Sequence, residues 1–306
     1  MGTDRLVLER LTPLDVSNLR IEKHGLPMNV AALAILEGRV LLDASGRLAL
    51  EGIKARIEQR LHLAPRLRQR LYRPGFGFGA PVWVDDASFD ISRHVRTRPI
   101  PAGGGEETLL AACVALNDRP FDQAHPLWEI WLLTGPPDGH VAMLIRFHHV
   151  LADGIAALLL LGTLFDAAPV DAVPQAPQSQ GLPWIARPIP ARSELLGDAL
   201  RRSITGIRRG VRKIGHPGRA LAPARTLFRQ ARQLAREGRA PRTSFNRPVG
   251  RQHRVLLVRA GLDQAKQVAH AHHATVNDVV LCTIAGGARA LLAGRGELHR
   301  PTATGG

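Results

Sequence analysis

The sequence predicts an α/β fold, and three observations carry that reading. Helical and extended stretches alternate over residues 1–168, two apolar runs flank a Gly/Pro loop as in a hairpin, and 45% apolar composition over 306 residues is enough to bury a large core. That length accommodates one large or two ordinary domains.

Taken in order, residues 15–22 are short and mixed, and residues 28–37 (MNVAALAILE) are strand-compatible. Residues 50–71 carry Ile53, Ile57, Leu61 and Leu67 at near-helical spacing with charges between them, which predicts an amphipathic helix. The PGFGFG stretch, 74–79, reads as a loop, and 82–84 as extended. Helical periodicity returns over 106–116 until Asn117-Asp118-Arg119-Pro120 breaks it. Residues 127–133 (LWEIWLL) and 141–147 (VAMLIRF) are the predicted hairpin strands, and a helix is expected to begin near Asp153-Gly154.

From 169 to 190 the composition turns to Pro, Ala and Gln, the mark of a linker or crossover. Residues 195–211 and 220–236 are partly helical in pattern, 251–258 extended, and 263–272 and 275–294 helical, while 294–306 has no periodicity. The reading gives four segments: a domain over 1–168, the linker 169–190, a basic crossover segment 191–254, and a further domain portion over 255–306.

Charge is localised. Between residues 187 and 254 there are 18 Lys and Arg against Glu194, Asp198 and Glu237, while the remaining residues balance at 23 basic and 23 acidic, so the whole +15 excess lies in one segment. Its aromatics are sparse, only Phe228 and Phe245 after Trp184 just ahead of it, so the stacking platform that single-stranded nucleic acid needs is missing. Basic, partly amphipathic helices suit an anionic membrane surface. Cys113 and Cys282 supply neither a disulfide framework nor a zinc ligand set, which fits a reducing cytosol. Residues 1–12 lack a signal-peptide pattern, and the longest apolar run, 155–165, is short of the ~20 residues of a membrane span, so membrane contact is expected to be peripheral.

Chemistry concentrates at His148-His149-Val150-Leu151-Ala152-Asp153-Gly154. Removing a proton from a hydroxyl needs a base, and neutral imidazole is matched to that task near pH 7. Neighbouring side chains on a strand point to opposite faces, so only one of His148 and His149 can face a given cavity, and the pair is badly arranged to share a metal ion. Asp153 can accept local N–H bonds or pair with an arginine, and Gly154 permits the turn into a helix. The plainer alternative is a structural histidine pair after an apolar strand. His270, His272 and His273 read as a solvated helix face. Gly75, Gly77 and Gly79 alternate with Phe and lack the helix context of a phosphate loop.

The segment from His148 to Gly154 fits the HHxxxDG motif, and the sequence resembles the bacterial wax ester synthase/diacylglycerol acyltransferase family of CoA-dependent acyltransferases. The resemblance rests on five stretches in the family's order: Leu11-Thr12-Pro13-Leu14-Asp15, Pro27-Met28-Asn29-Val30, Pro126-Leu127-Trp128-Glu129, the histidine motif, and Thr275-Val276-Asn277-Asp278-Val279-Val280. It implies a chloramphenicol-acetyltransferase-like architecture, a mixed sheet flanked by helices in two domains, the second incomplete here.

It further implies an O-acyltransferase moving a long-chain acyl group from acyl-CoA to diacylglycerol, or to a long-chain alcohol. His149 would be the general base, His148 a support, Asp153 mainly structural and Gly154 the bend. Pro126, Leu127 and Trp128 would be packing or acyl-tunnel wall, and Asn277 and Asp278 either a helix cap or residues that position the site. CoA enters as cosubstrate, with no cofactor, no metal and no nucleic-acid partner expected. The expected location is cytoplasmic, at the inner membrane face or lipid inclusions. The competing reading is a catalytically inactive acyltransferase-like binding protein.

Overall fold

The computed structural model describes residues 8–22, 27–43, 45, 47–101, 104–135, 139–151, 162–164, 184–214, 243–248, 250 and 253–298. Asp153, Gly154, the helix expected after them, most of the 169–190 linker and the 220–236 stretch lie outside the described residues. The chain divides into two compact units, Met1–Ile207 with His253–Val255, and Arg208–Gln252 with Leu256–Gly306.

The first unit is built on a four-stranded mixed sheet. Its strands are β1 (Asn29–Glu37), β4 (Val95–Pro99), β5 (Trp128–Thr134) and β6 (His140–His148), in the order β1-β6-β5-β4. β6 is antiparallel to both neighbours, whereas β4 and β5 run parallel and are joined through α4 (Gly105–Asn117), as a parallel pair requires. A separate antiparallel pair, β2 (Gln69–Tyr72) and β3 (Val82–Asp85), is linked by the PGFGFG loop, where Gly75, Gly77 and Gly79 all take positive φ.

β5 and β6 read as nearly continuous apolar runs because the sheet is covered on both sides. Along β6, Val141, Met143, Ile145 and Phe147 pack with Ile57 and Leu61, while Ala142 and Leu144 pack with Leu109, Cys113 and Leu116 of α4. α2 (Leu50–Arg60) supplies the first cover and α4 the second. Arg146 shares the α4 side yet is 1% exposed. Its guanidinium donates to the carbonyls of Leu116 and Arg119 just where α4 ends, and lies 4.1 Å from the Phe121 ring centroid. A buried cation at a helix C-terminus satisfies carbonyls that have no intrahelical donor.

The helix predicted over 50–71 is shorter. It ends at Arg60, passes through two 3-10 turns, and becomes β2 at Gln69. Pro65 is the cause, since it forces Ala64 out of the helical region (φ −133°, ψ 66°) and lacks the N–H to continue. Conversely, residues 15–22, mixed by sequence, belong to α1 (Pro13–Glu22), started by Thr12 and Asp15, whose side chains bond each other's main-chain N–H. α3 (Ile91–His94) is a single turn capped by Asp90. α5 (Arg192–Ile214) is tied to this unit by Leu195, 1% exposed, and by Asp198, which accepts from Arg10 at 2.6 Å and Arg202 at 3.0 Å.

In the second unit, α6 (Leu262–Ala271) and α7 (Val276–Gly294) are joined by a turn in which His273 has φ +50°. His272 and His273 thus lie beyond the helix rather than on its face, although both are exposed as predicted. Residues 253–260 carry no ladder and are not a strand. By length and composition alone α7 could cross a membrane, with mean hydropathy 1.4 and none of its apolar stretch buried, whereas the sequence pattern led to the expectation of peripheral contact only.

Candidate active site

The two histidines sit where β6 runs out, and main-chain bonds to two other segments fix them. His148 N–H donates to the Leu127 carbonyl at 2.9 Å, His149 N–H to the Met28 carbonyl at 2.8 Å, and Leu151 N–H to the His148 carbonyl at 2.9 Å. The strand end is thereby held between the Pro126-Leu127-Trp128 and Pro27-Met28-Asn29 stretches, which sequence separates widely. Asn29 is the Cα partner of His148, and its amide donates to the carbonyls of Asn117 at 2.6 Å and Arg119 at 3.0 Å.

Strand alternation separates the imidazoles. His148 continues the Arg146 side and is fully buried. Its Nδ1 accepts from the Val150 N–H at 3.1 Å, so the proton of the neutral ring is on Nε2, which donates to Glu22 Oε2 at 3.1 Å. His149 is partly exposed, and its ring has no polar partner among the described residues. One ring is thus fully engaged in structure, while the other is left unbonded among the described residues.

Leu127 and Trp128 are buried, at 0% and 2% exposure, and Pro126 is buried beside them. Leu127 joins Leu11, Leu19, Leu71 and Val150 in one apolar cluster. The Trp128 indole N–H donates to the Leu67 carbonyl at 2.7 Å, and its ring stacks on His94 with centroids 4.6 Å apart. His94 in turn stacks on Phe89 at 5.1 Å and donates through Nδ1 to the Trp128 carbonyl at 2.8 Å. Burial pushes the His94 pKa down, against the smaller opposing effect of the Trp128 carbonyl. The neighbouring Asp86 carboxyl is held below its ordinary value, because hydrogen bonds from Ser88 and His125 outweigh the burial that would raise it.

Asn277 and Asp278 belong to the second unit, both exposed at the start of α7. The Asp278 carboxylate accepts from the Thr275 N–H at 2.8 Å and hydroxyl at 2.7 Å, completing a capping box that holds its pKa down. Among the described residues no three His, Cys, Asp or Glu side chains form a metal-ligand cluster. Burial raises the Cys113 thiol to about 11, which leaves it unreactive as a nucleophile.

Glu22 is the contact that sequence reading missed. A signal was available: an acid as the last residue of a helix faces the negative end of the dipole, and such placement calls for a compensating donor. Seeing it required recognising that Thr12 and Asp15 start α1.

The sequence matches the wax ester synthase/diacylglycerol acyltransferase catalytic domain over residues 11–280. A Mycobacterium tuberculosis protein named a probable diacylglycerol O-acyltransferase, tgs3, is 31% identical over 276 residues, covering 86% of this chain and 96% of that relative. Two further relatives from the same species are 31% identical, and the chain spans 56% of their length. Among solved structures, a wax ester synthase/diacylglycerol acyltransferase from Marinobacter aquaeolei VT8 superposes with a TM-score of 0.60 at 26% identity, covering 95% of this chain and 62% of that one.

Proposed function

The chain belongs to the wax ester synthase/diacylglycerol acyltransferase family, and from that premise we propose that it transfers a long-chain acyl group from acyl-CoA to the hydroxyl of diacylglycerol, with a long-chain alcohol as second acceptor. The observation that carries the proposal is the contrast between the histidines, His148 fully bonded inside and His149 partly exposed with no polar partner on its ring among the described residues.

In this mechanism the neutral His149 imidazole takes the acceptor hydroxyl proton as the oxygen attacks the thioester carbonyl. The tetrahedral adduct then collapses, the C–S bond breaks, and the imidazolium returns its proton to the departing CoA sulfur. Ester and free CoA are the products, with no redox change. CoA is cosubstrate, and the scheme uses no metal. Trp128 and Leu127 pack the strand end that carries the base, and Asp153 and Gly154 are assigned the turn that follows it.

Acyl transfer from a long-chain acyl-CoA to diacylglycerol and to a fatty alcohol, measured against His149→Ala, tests the proposal. Wild-type turnover no higher than that of the variant favours the inactive binding protein instead.

An anionic lipid surface is proposed as the working location. On α5, Leu196, Leu200 and Ile204 follow one another at i, i+4, i+8 and are 45–54% exposed, bordered by exposed Arg192, Arg201 and Arg202. Phe76, fully exposed, and Arg202 line an open cavity of about 650 Å³ between the glycine loop and this helix. Each basic residue near an anionic surface contributes about 1 kcal/mol. Salt-sensitive cosedimentation with anionic but not neutral vesicles is expected, and equal retention on both removes the idea.

A further inference from the structure

We infer that Glu22 is a positioning residue, which sets the tautomer of His148 and through it the turn that presents His149; the catalytic part of this inference rests on the acyl-transfer reading above. Glu22 closes α1, more than a hundred residues from the histidine pair in sequence, yet its Oε2 lies 3.1 Å from His148 Nε2. Both groups are inside: the His148 side chain is 0% exposed and that of Glu22 11%. The same oxygen accepts from Gln123 Nε2 at 3.2 Å, and Gln123 Oε1 is in turn held by Arg73 at 2.6 Å.

An imidazole with a fixed acceptor on one nitrogen and a fixed donor on the other has only one neutral form that satisfies both. Here the Val150 N–H points at Nδ1 and the Glu22 carboxylate at Nε2, so the Nε2–H form is selected. The opposite tautomer would set the Nδ1–H against the Val150 N–H and leave a lone pair facing a carboxylate. Four bonds hold the main chain across His148 to Val150: those to Leu127 and Met28 and the one from Leu151 to the His148 carbonyl, which need no side chain, and the one from Val150 to the ring. Only this last bond involves the imidazole. It depends on the tautomer, hence on Glu22. His149 stands between the anchored residues, so the carboxylate governs where the base points without touching substrate.

The substitution Glu22→Gln discriminates sharply. Two donors, from His148 and Gln123, converge on Oε2, so the amide oxygen of the variant must occupy that place and its NH₂ must take the Oε1 place, where no partner is found among the described residues. The tautomer survives in Glu22→Gln and is released in Glu22→Ala.

The experiment is nitrogen NMR of 15N-histidine-labelled full chain, with the His148 signal assigned by loss in His148→Gln, run beside steady-state kinetics. Wild type and Glu22→Gln are expected to show a protonated Nε2 and an unprotonated Nδ1. Glu22→Ala should show a mixture in which part of the population is protonated on Nδ1, with kcat reduced about 10²-fold and the acyl-CoA KM within about twofold, as for a misplaced rather than an absent base. A wild-type His148 protonated on Nδ1 overturns the inference without any variant, as does Glu22→Ala with wild-type tautomer or wild-type kcat. Should wild type prove inactive, the tautomer measurement still decides the Glu22 assignment, while the acyl-transfer reading fails separately.

Discussion

The Arg146 guanidinium donates to the Arg119 carbonyl at 2.6 Å, joining the middle of the central strand to the chain just past α4. Its side chain is 2% exposed and also meets the Leu116 carbonyl and, at 3.7 Å, Glu129. Replacement by Met of similar length removes the donors and leaves those acceptors buried. We expect Arg146→Met to lose about 3 kcal/mol, read as a lower urea midpoint. A midpoint unchanged from wild type would mean that the carbonyls are satisfied without the arginine.

The two histidines should separate function from stability. His149→Ala is expected to lower kcat about 10³-fold while moving stability by no more than about 0.5 kcal/mol. His148→Ala orphans the Val150 N–H and the Glu22 oxygen, so about 2 kcal/mol of stability should go as well. Paired assays and melts of the two variants check the contrast, and equal stability losses would contradict it.

His94 predicts an acid-side weakness. Its imidazole is 3% exposed between Phe89 and Trp128, and burial holds its folded pKa below the ordinary 6.5 despite nearby Glu129 and Asp86. Between the two values the unfolded chain binds the extra proton, so stability is complete above about 6.5 and falls as pH drops toward the folded value. Urea midpoints measured from pH 7.5 to 5 should fall more steeply for wild type than for His94→Phe. Parallel curves would assign the acid loss to other groups.

Two glycine substitutions should act with opposite sign. Gly135 has φ +109°, and an added Cβ would lie 2.6 Å from the Ile100 carbonyl oxygen, so Gly135→Ala should cost about 2 kcal/mol. Gly52 is exposed within α2 with nothing near a Cβ, and Gly52→Ala should gain about 0.5–1 kcal/mol. Thermal melts of both variants suffice, and a loss at Gly52 would show the helix is not limited by backbone entropy there.

Much of the fold was legible because its period is local. The apolar runs 127–133 and 141–147 on either side of a Gly/Pro loop gave β5 and β6, and Thr275 followed by Asp278 gave the start of α7. Pro65 breaks the 50–71 pattern, yet its effect is masked in the sequence because Leu61 and Leu67 fit a helical face that they in fact serve through two 3-10 turns. The site was legible as a motif and illegible as a structure. Nothing local to His148 names Glu22 as its partner; that pairing depends on how α1 docks, and docking is set by Leu11, Leu19, Leu71 and Val150, which no short window contains.

Because β6 alternates so strictly, the identity of the outward-facing histidine is counted off from the apolar side chains that precede it. Point substitutions along the strand leave that count intact. A single-residue insertion or deletion between Val141 and Phe147 would instead exchange the two rings, turning the braced one outward and burying the free one. The strand therefore works as a ruler whose unit is one residue, and the protein should tolerate changes in its letters far better than changes in their number.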